Sequence, residues 1–182
     1  MFWTEESIAF LRDAAAINRY YETVAERIAP QLPENAHVCD AGCGVGELSL
    51  ALKPYCHHVT AVDADALAIK TLKAHLIEGV TARCGDMEAL APEKPYDAMV
   101  FCLFGRTQDK RDYSHHRFSA GKVSLGEYTA GSTENVLREK GIPYTVEHFT
   151  AEFGQPFRSL EAAERFFALY NRSESEVLSK DE

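Results

Sequence analysis

The chain has 182 residues, 46% of them hydrophobic, and a formal net charge of −9. That length suits one domain of ordinary size, and no window approaches the ~18–20 uninterrupted apolar residues that a membrane span requires. Binding to a nucleic-acid backbone draws on Lys and Arg to neutralise phosphates. The acidic balance argues against such a partner, and the short cluster from Lys110-Arg111-Asp112 to Arg117 is itself interrupted by an acid.

Met1 to Arg12 already carries Glu5 and Glu6, so the basic-then-apolar order of a secretory leader is missing and a cytoplasmic protein is expected. Five cysteines, Cys39, Cys43, Cys56, Cys84 and Cys102, make an odd set that disfavours a disulfide framework. No Cys-x-x-Cys pair supports zinc, and no metal is expected. The cysteines read as small buried hydrophobes.

Glu5 to about Ala29 predicts a helix, because Ile8, Leu11, Ala15, Ile17, Tyr21, Val24 and Ile28 recur near helical spacing. Thr4 can cap its start, Pro30 and Pro33 stop it, and a break near Asn18 would divide it in two. The period then changes. Ala36-His37-Val38-Cys39 predicts a short strand, followed by the glycine-rich run Asp40 to Gly46 and a helix over Glu47 to Lys53. Val59 to Val62 predicts a second strand ending at Asp63, and Asp65 can cap a helix with Ala68, Ile69, Leu72 and Leu76 on one face until Gly79. Val80 to Cys84 predicts a third strand ending at Gly85-Asp86. Tyr96 to Phe104 is the near-continuous apolar run of a strand buried on both faces.

Strands alternating with helices imply a parallel sheet with right-handed crossovers, whose ligands bind beyond the carboxyl ends of the strands. The glycine-rich run, Asp63, Asp86 and Cys102 to Phe104 all fall at such ends. Downstream, Ser132 or Thr133 can cap a helix to Lys140, closed by Gly141. Tyr144 to Thr150 alternates like a strand, and Ser159 caps a last helix with Ala163, Phe166, Phe167 and Tyr170 on one side. Between Phe104 and Thr133 a helix and an apolar fifth strand are expected, yet Thr107 to Tyr113 is polar, as is the tail from Asn171 to Glu182. Structureless loops of ~20 residues are uncommon inside a compact domain. Residues are therefore expected to be absent from the sequence near Gln108–Asp109 and in the tail.

A tight turn after a strand needs positive φ, and a ligand pressed against backbone needs the absence of Cβ. Gly42, Gly44 and Gly46 meet both needs. In the dinucleotide fingerprint Gly-x-Gly-x-x-Gly the third glycine would fall at position 47, which is Glu47. An acid at a helix start repels a diphosphate, and Asp40 adds to the acidity. The run suits a ligand with positive charge and no phosphate, as S-adenosylmethionine is.

Val38-Cys39-Asp40-Ala41-Gly42-Cys43-Gly44-Val45-Gly46 resembles the first motif of class I methyltransferases, and Val59-Thr60-Ala61-Val62-Asp63 resembles the second. Cys84-Gly85-Asp86-Met87 is similar to the third and Tyr96-Asp97-Ala98-Met99-Val100 to the fourth, so the resemblance covers about residues 36–106. It implies an α/β fold, a Rossmann-like three-layer sandwich with a mostly parallel central sheet and an N-terminal helical lid. One domain over 1–182 is expected, with a helical segment 1–33, a cofactor-binding half 34–106 and a substrate-side half 107–182. The resemblance also implies S-adenosylmethionine as cofactor and S-adenosylhomocysteine as product. Asp40 and the backbone of Ala41, Gly42 and Gly44 would hold the methionine end. Asp63 would take both ribose hydroxyls, Ala64 would lie against the adenine, and Asp86 with Met87 would meet its amino edge. Cys102 and Leu103, with Phe104, would line the gap to the substrate. Plainer roles stay open, a helix cap for Asp63 and a turn for Asp86.

Methyl transfer to an activated carbon needs alignment and desolvation above all, and a base only for the acceptor. Tyr20, Tyr21, Asp112, His115 and His116 are the candidates, against a core role for the tyrosines and a solvated loop for the histidines. Phe101-Cys102-Leu103-Phe104 lacks the Asn-Pro-Pro-Tyr and Pro-Cys signatures of nucleic-acid and glutamine enzymes, which with the acidic charge favours a small-molecule acceptor. A homodimer is compatible with the sequence. The alternatives are a non-catalytic module or partner subunit binding S-adenosylmethionine or S-adenosylhomocysteine, and an NAD-dependent oxidoreductase, which Glu47 disfavours.

Overall fold

Thr4 starts the first helix, α1 (Glu5–Ala15): its side chain accepts from the Ser7 N–H while the Ser7 hydroxyl accepts from the Thr4 N–H, a reciprocal capping box. The computed structural model describes residues 3–86, 95–102 and 130–171. The break expected near Asn18 is present, and α2 runs over Tyr20–Ile28 before a 3-10 turn at Ala29–Gln31 that holds Pro30. Asn18 explains the break. Its amide donates to the Ala14 carbonyl at 2.6 Å and to the Gly154 carbonyl at 2.7 Å, while its carbonyl oxygen accepts from the Gly154 N–H at 2.8 Å. One side chain thus closes α1 and clasps a strand of chain 136 residues away.

Strand β1 (His37–Ala41) leads through the glycine turn into α3 (Glu47–Leu52). Strand β2 (His58–Asp63) leads into α4 (Ala66–Lys73), which Asp65 caps by accepting from the Leu67 and Ala68 N–H groups. Strand β3 (Val80–Cys84) follows, then β4 (Ala98–Val100). The four lie parallel in the order β3-β2-β1-β4. Val38 is in register with Val59 of β2 and Ala98 of β4, and Val59 with Val80 of β3. This is the mixed α/β, Rossmann-like arrangement that the alternating elements imply. Since the crossovers β1-α3-β2 and β2-α4-β3 step in the same direction, right-handedness puts α3 and α4 on one face, one of the two expected helical layers.

The core beneath α3 joins Leu48 and Leu52 to Val38, Val59, Ala25 and Ala36, all nearly solvent-free. A smaller cluster gathers Ile8, Val45 and Ala68, with Trp3, Leu11 and Leu67 packed against it. On the opposite face Cys39, Ala41 and Val62 are buried with Tyr96 over them. Cys39 therefore is the buried hydrophobe expected, whereas Cys84 is exposed and Cys43, Cys56 and Cys102 are half-buried.

Three expectations are corrected. Leu76 lies outside α4: the helix ends at Lys73, and Leu76 takes φ 48° with 90% of its surface exposed. Among its described residues, Tyr96 to Cys102, the apolar run yields a strand only over Ala98–Val100, and Met99 and Phe101 are each 48% exposed, so that part is not buried on both faces. Tyr144 to Thr150 forms no strand, and Tyr144, Val146 and Phe149 are exposed. Alternation makes a strand only where another strand meets it.

By contact the chain divides into two units, Met1–Cys102 with Ala151–Pro156, and Leu103–Thr150 with Phe157–Glu182. In the second, α5 (Ala130–Glu139) ends at Gly141, with φ 63°, and the Ile142 N–H returns to the Leu137 carbonyl. Helix α6 (Leu160–Asn171) is capped by Ser159, which accepts from the Ala162 N–H, as expected. Phe157, Phe166 and Phe167 make edge and tilted ring contacts beside it. Gln108–Asp109 and Tyr113 lie outside the described residues. No described helix is long and apolar enough to cross a membrane.

Candidate functional site

At the carboxyl end of β1 the chain turns on Gly42 (φ 74°), Gly44 (φ 54°) and Gly46 (φ 92°) before α3 begins. The turn's amides are used internally. Gly42 and Cys43 donate to the Val62 carbonyl at 2.9 and 3.0 Å, Gly46 donates to the Cys43 carbonyl at 2.9 Å, and Gly44 donates to Asp63 Oδ2 at 2.8 Å. A Cβ on Gly46 would run into the Leu72 side chain of α4, so that glycine lets helix and turn meet. These donors are taken up by the protein and make no cradle for a phosphate.

Asp40 lies under the turn with 1% of its surface exposed. The Ser49 hydroxyl of α3 donates to its Oδ2 at 2.5 Å. Burial pushes the Asp40 carboxyl up to about 6; the Ser49 hydroxyl pulls it down, and the neighbouring Asp63 charge pushes it further up. Burial together with the Asp40 and Asp63 charges also raises the Cys43 thiol, so Cys43 stays protonated and is no nucleophile at neutral pH.

Asp63 ends β2. Its Oδ2 accepts from Gly44 and its Oδ1 from the Asp65 N–H at 2.8 Å. The helix cap is Asp65, not Asp63, so the plainer alternative for Asp63 falls. A carboxylate oxygen has room for more than one donor, and Asp63, partly exposed, can accept two further hydroxyls. Ala64 and Asp86 are exposed at the same edge of the sheet, where the Gly85 N–H reaches the Asp63 carbonyl at 3.0 Å and the Cys84 thiol lies 3.7 Å from the Ala64 carbonyl. The strand ends thus bring Asp40, Ala41, Gly42, Gly44, Asp63, Ala64 and Asp86 to one edge. Cys102 is half-buried against the core under α3. Met87, Leu103, Phe104, Asp112, His115 and His116 lie outside the described residues.

Tyr21 packs on the core with Val24 and Ile28, and Tyr20 sets its ring edge-on to Tyr21 and to Phe153, with centroids 5.2 and 5.4 Å away. Glu47 is half-buried, and burial raises its carboxyl. It lines a cleft of about 360 Å3 with Arg19, Tyr21, Glu22, Glu26 and Tyr55, which none of the strand-end carboxylates reaches. Ser49 and Trp3 were not legible in the sequence. Ser49 stands three residues after Gly46, a small hydroxyl on the helix face turned to β1, which is the only signal it carries. Trp3 stacks on Gly44 from 41 positions upstream, and no local pattern announces that.

Residues 38–116 match a family model described as a methyltransferase domain, which bears out the resemblance carried by the four motifs. No curated protein matches the sequence. Similar solved structures include a TehB-like SAM-dependent methyltransferase from Corynebacterium glutamicum, 27% identical over 54% of this chain and 53% of that one, with a TM-score of 0.47. CalS10, an amino pentose methyltransferase from Micromonospora echinaspora bound to SAM, is 22% identical over 57% of this chain and 44% of its own, with a TM-score of 0.45. An rRNA methylase from Streptococcus thermophilus is 24% identical over 47% of this chain and 51% of its own, with a TM-score of 0.40. The chain therefore spans about half the length of these relatives.

Proposed function

We propose, with the methyltransferase-domain match as premise, that the chain binds S-adenosylmethionine at the carboxyl edge of its sheet and transfers the methyl group to a small molecule. The observation that carries this is the polarity of the glycine turn. Its Gly42, Cys43, Gly44 and Gly46 amides are spent on Val62, Asp63 and Cys43, and beneath them lies the buried Asp40 carboxylate. A site offering acceptors and negative charge favours an ammonium and a sulfonium over a diphosphate. The same argument counts against an NAD-dependent oxidoreductase, more firmly than Glu47 does from its cleft.

In this reading Asp40, with carbonyl oxygens of Ala41, Gly42 and Gly44, holds the methionine end. Asp63 accepts the two ribose hydroxyls, Ala64 packs on the adenine, and Asp86 with Met87 meets the amino edge. Cys102 and Leu103 border the acceptor. The cofactor supplies a carbon already activated by positive sulfur, which departs as neutral S-adenosylhomocysteine. The protein's part is to align that carbon and exclude water. The proton lost by the acceptor passes to a base or to solvent, and Tyr21, His115 and His116 are the side chains to test. The acidic balance of the chain supports a small-molecule acceptor.

Calorimetry with S-adenosylmethionine, S-adenosylhomocysteine and NAD tests the cofactor. Binding of both adenosyl ligands without NAD is expected, and tight NAD binding without them overturns the reading. Release of labelled methyl groups onto acceptors of a cell extract then separates an enzyme from a binding module.

A further inference from the structure

The indole of Trp3 lies directly on Gly44. A Cβ built there would stand 2.6 Å from Trp3 Cζ2 and 3.2 Å from Cε2, so the ring and the glycine are in close contact and no ligand atom fits between them. Gly44 is also the residue whose N–H holds Asp63. The ring thus covers one face of the glycine whose amide holds the proposed ribose carboxylate.

The attachment of this ring is built and yet slight. The Trp3 N–H donates to Asp65 Oδ2 at 2.9 Å, while Asp65 Oδ1 accepts from Leu67 and Ala68 at 2.9 and 3.1 Å. One carboxylate therefore caps α4 and tethers the segment before α1. Below, the indole rests on the small cluster of Ile8, Val45 and Ala68, bordered by Leu11 and Leu67. Among the described residues the tether is a single backbone hydrogen bond, and the indole is only half-buried, so α1 can keep its own capping box at Thr4 and Ser7 when the ring departs.

We infer that Trp3 is an internal competitor for the ligand site: its indole occupies the Gly44 face in the free protein, and the ligand displaces it. This rests on the adenosyl-cofactor reading of that site. It differs from a lid, which closes over a bound ligand and becomes more protected. A competitor leaves, becomes more exposed, and lowers the apparent affinity by the fraction of molecules it blocks.

Trp3 is the sole tryptophan of the sequence, so the emission of the intact protein reports on it directly. Titration with S-adenosylhomocysteine is expected to shift that emission to the red and to increase its quenching by acrylamide. Trp3→Ala is expected to bind the same ligand about three- to tenfold more tightly by calorimetry, the relief due if roughly a tenth to a third of the molecules are open. A blue shift, unchanged quenching on saturation, or weaker binding by Trp3→Ala would overturn the inference while leaving the cofactor reading intact. Binding of S-adenosylhomocysteine by neither protein would overturn both. Should Trp3→Ala fail to fold, as seen by circular dichroism, the titration of the unaltered protein decides alone.

Discussion

The two ends of the sheet are built from the same strands and carry opposite chemistry. At the carboxyl end stand Asp40, Asp63 and Asp86, with positive-φ glycines between β1 and α3. At the amino end His37 and His58 face each other across β1 and β2, their ring centroids 5.1 Å apart. His37 Nε2 lies 2.8 Å from Thr60 Oγ1 and His58 Nε2 lies 3.0 Å from Thr81 Oγ1, while Asp97 accepts from the His37 N–H at 2.7 Å. The amino end is thus satisfied by threonine hydroxyls of the sheet and by the Asp97 side chain just before β4. The carboxyl end holds a carboxylate in a place that raises its own pKa. That difference supports reading one end as structural and the other as the candidate site.

The comparison can be broken in several places. Gly46→Ala should cost most, about 3 kcal/mol in urea unfolding, because a side chain at φ 92° is strained and must also displace Leu72. An alanine tolerated there within a few tenths of that figure would mean that α4 does not depend on the turn.

Next come the opposite pH dependences. Asp40 has a native pKa of about 6 against an ordinary 3.8, so the folded protein holds this proton more tightly than the unfolded chain. Stability should therefore fall as pH rises from about 4 to about 6, by up to ~3 kcal/mol at ~1.4 kcal/mol per unit, and then level off. A ligand carrying a sulfonium and an ammonium is favoured by the ionised form, so affinity for S-adenosylmethionine should rise over the same window. Asp40→Asn should remove that fall in stability and weaken the ligand by ~1.5–3 kcal/mol. Equal affinity at pH 5 and pH 7 would separate Asp40 from binding.

Asp63→Ala should weaken the same ligand by ~1–3 kcal/mol if two ribose hydrogen bonds are lost, as calorimetry would show. At the other end the sign reverses. Burial, with His37, His57 and Lys53 nearby, lowers the His58 pKa, so protonation is disfavoured in the native state and stability should rise with pH through the region below 6.5. His58→Gln should flatten that smaller slope and leave ligand affinity unchanged. The least effect is expected from Val146→Ala, under ~0.5 kcal/mol, since 47% of Val146 is exposed where a strand would have buried it.

Much of the first half was legible in the sequence because its signals are local. Thr4 and Ser7 stand three residues apart, Asp65 caps with Leu67 and Ala68, and Ser159 caps with Ala162. Strand, turn and helix follow one another, so each glycine and each cap is read beside the element it serves. The candidate site was legible for a related reason: right-handed crossovers bring consecutive carboxyl ends to one edge. Signals failed where a partner distant in the sequence was required. Tyr144 to Thr150 alternates correctly and still makes no strand. Among its described residues, the apolar run at Tyr96 pairs with β1 only from Ala98 to Val100, because a strand extends no further than its neighbour bonds it.

By itself, then, the sequence determined the parallel α/β units, their caps, the glycine turn and the acidic strand ends, since each depends on residues within a few positions. The tertiary structure alone decided that Trp3 sits on Gly44, that Ser49 meets Asp40, and that Asn18 clasps Gly154. It also decided that the turn's amides are spent on Val62 and Asp63, on which the proposed preference for positive charge rests. These contacts join residues up to 136 positions apart, and which polar group meets which is set by packing, not by periodicity.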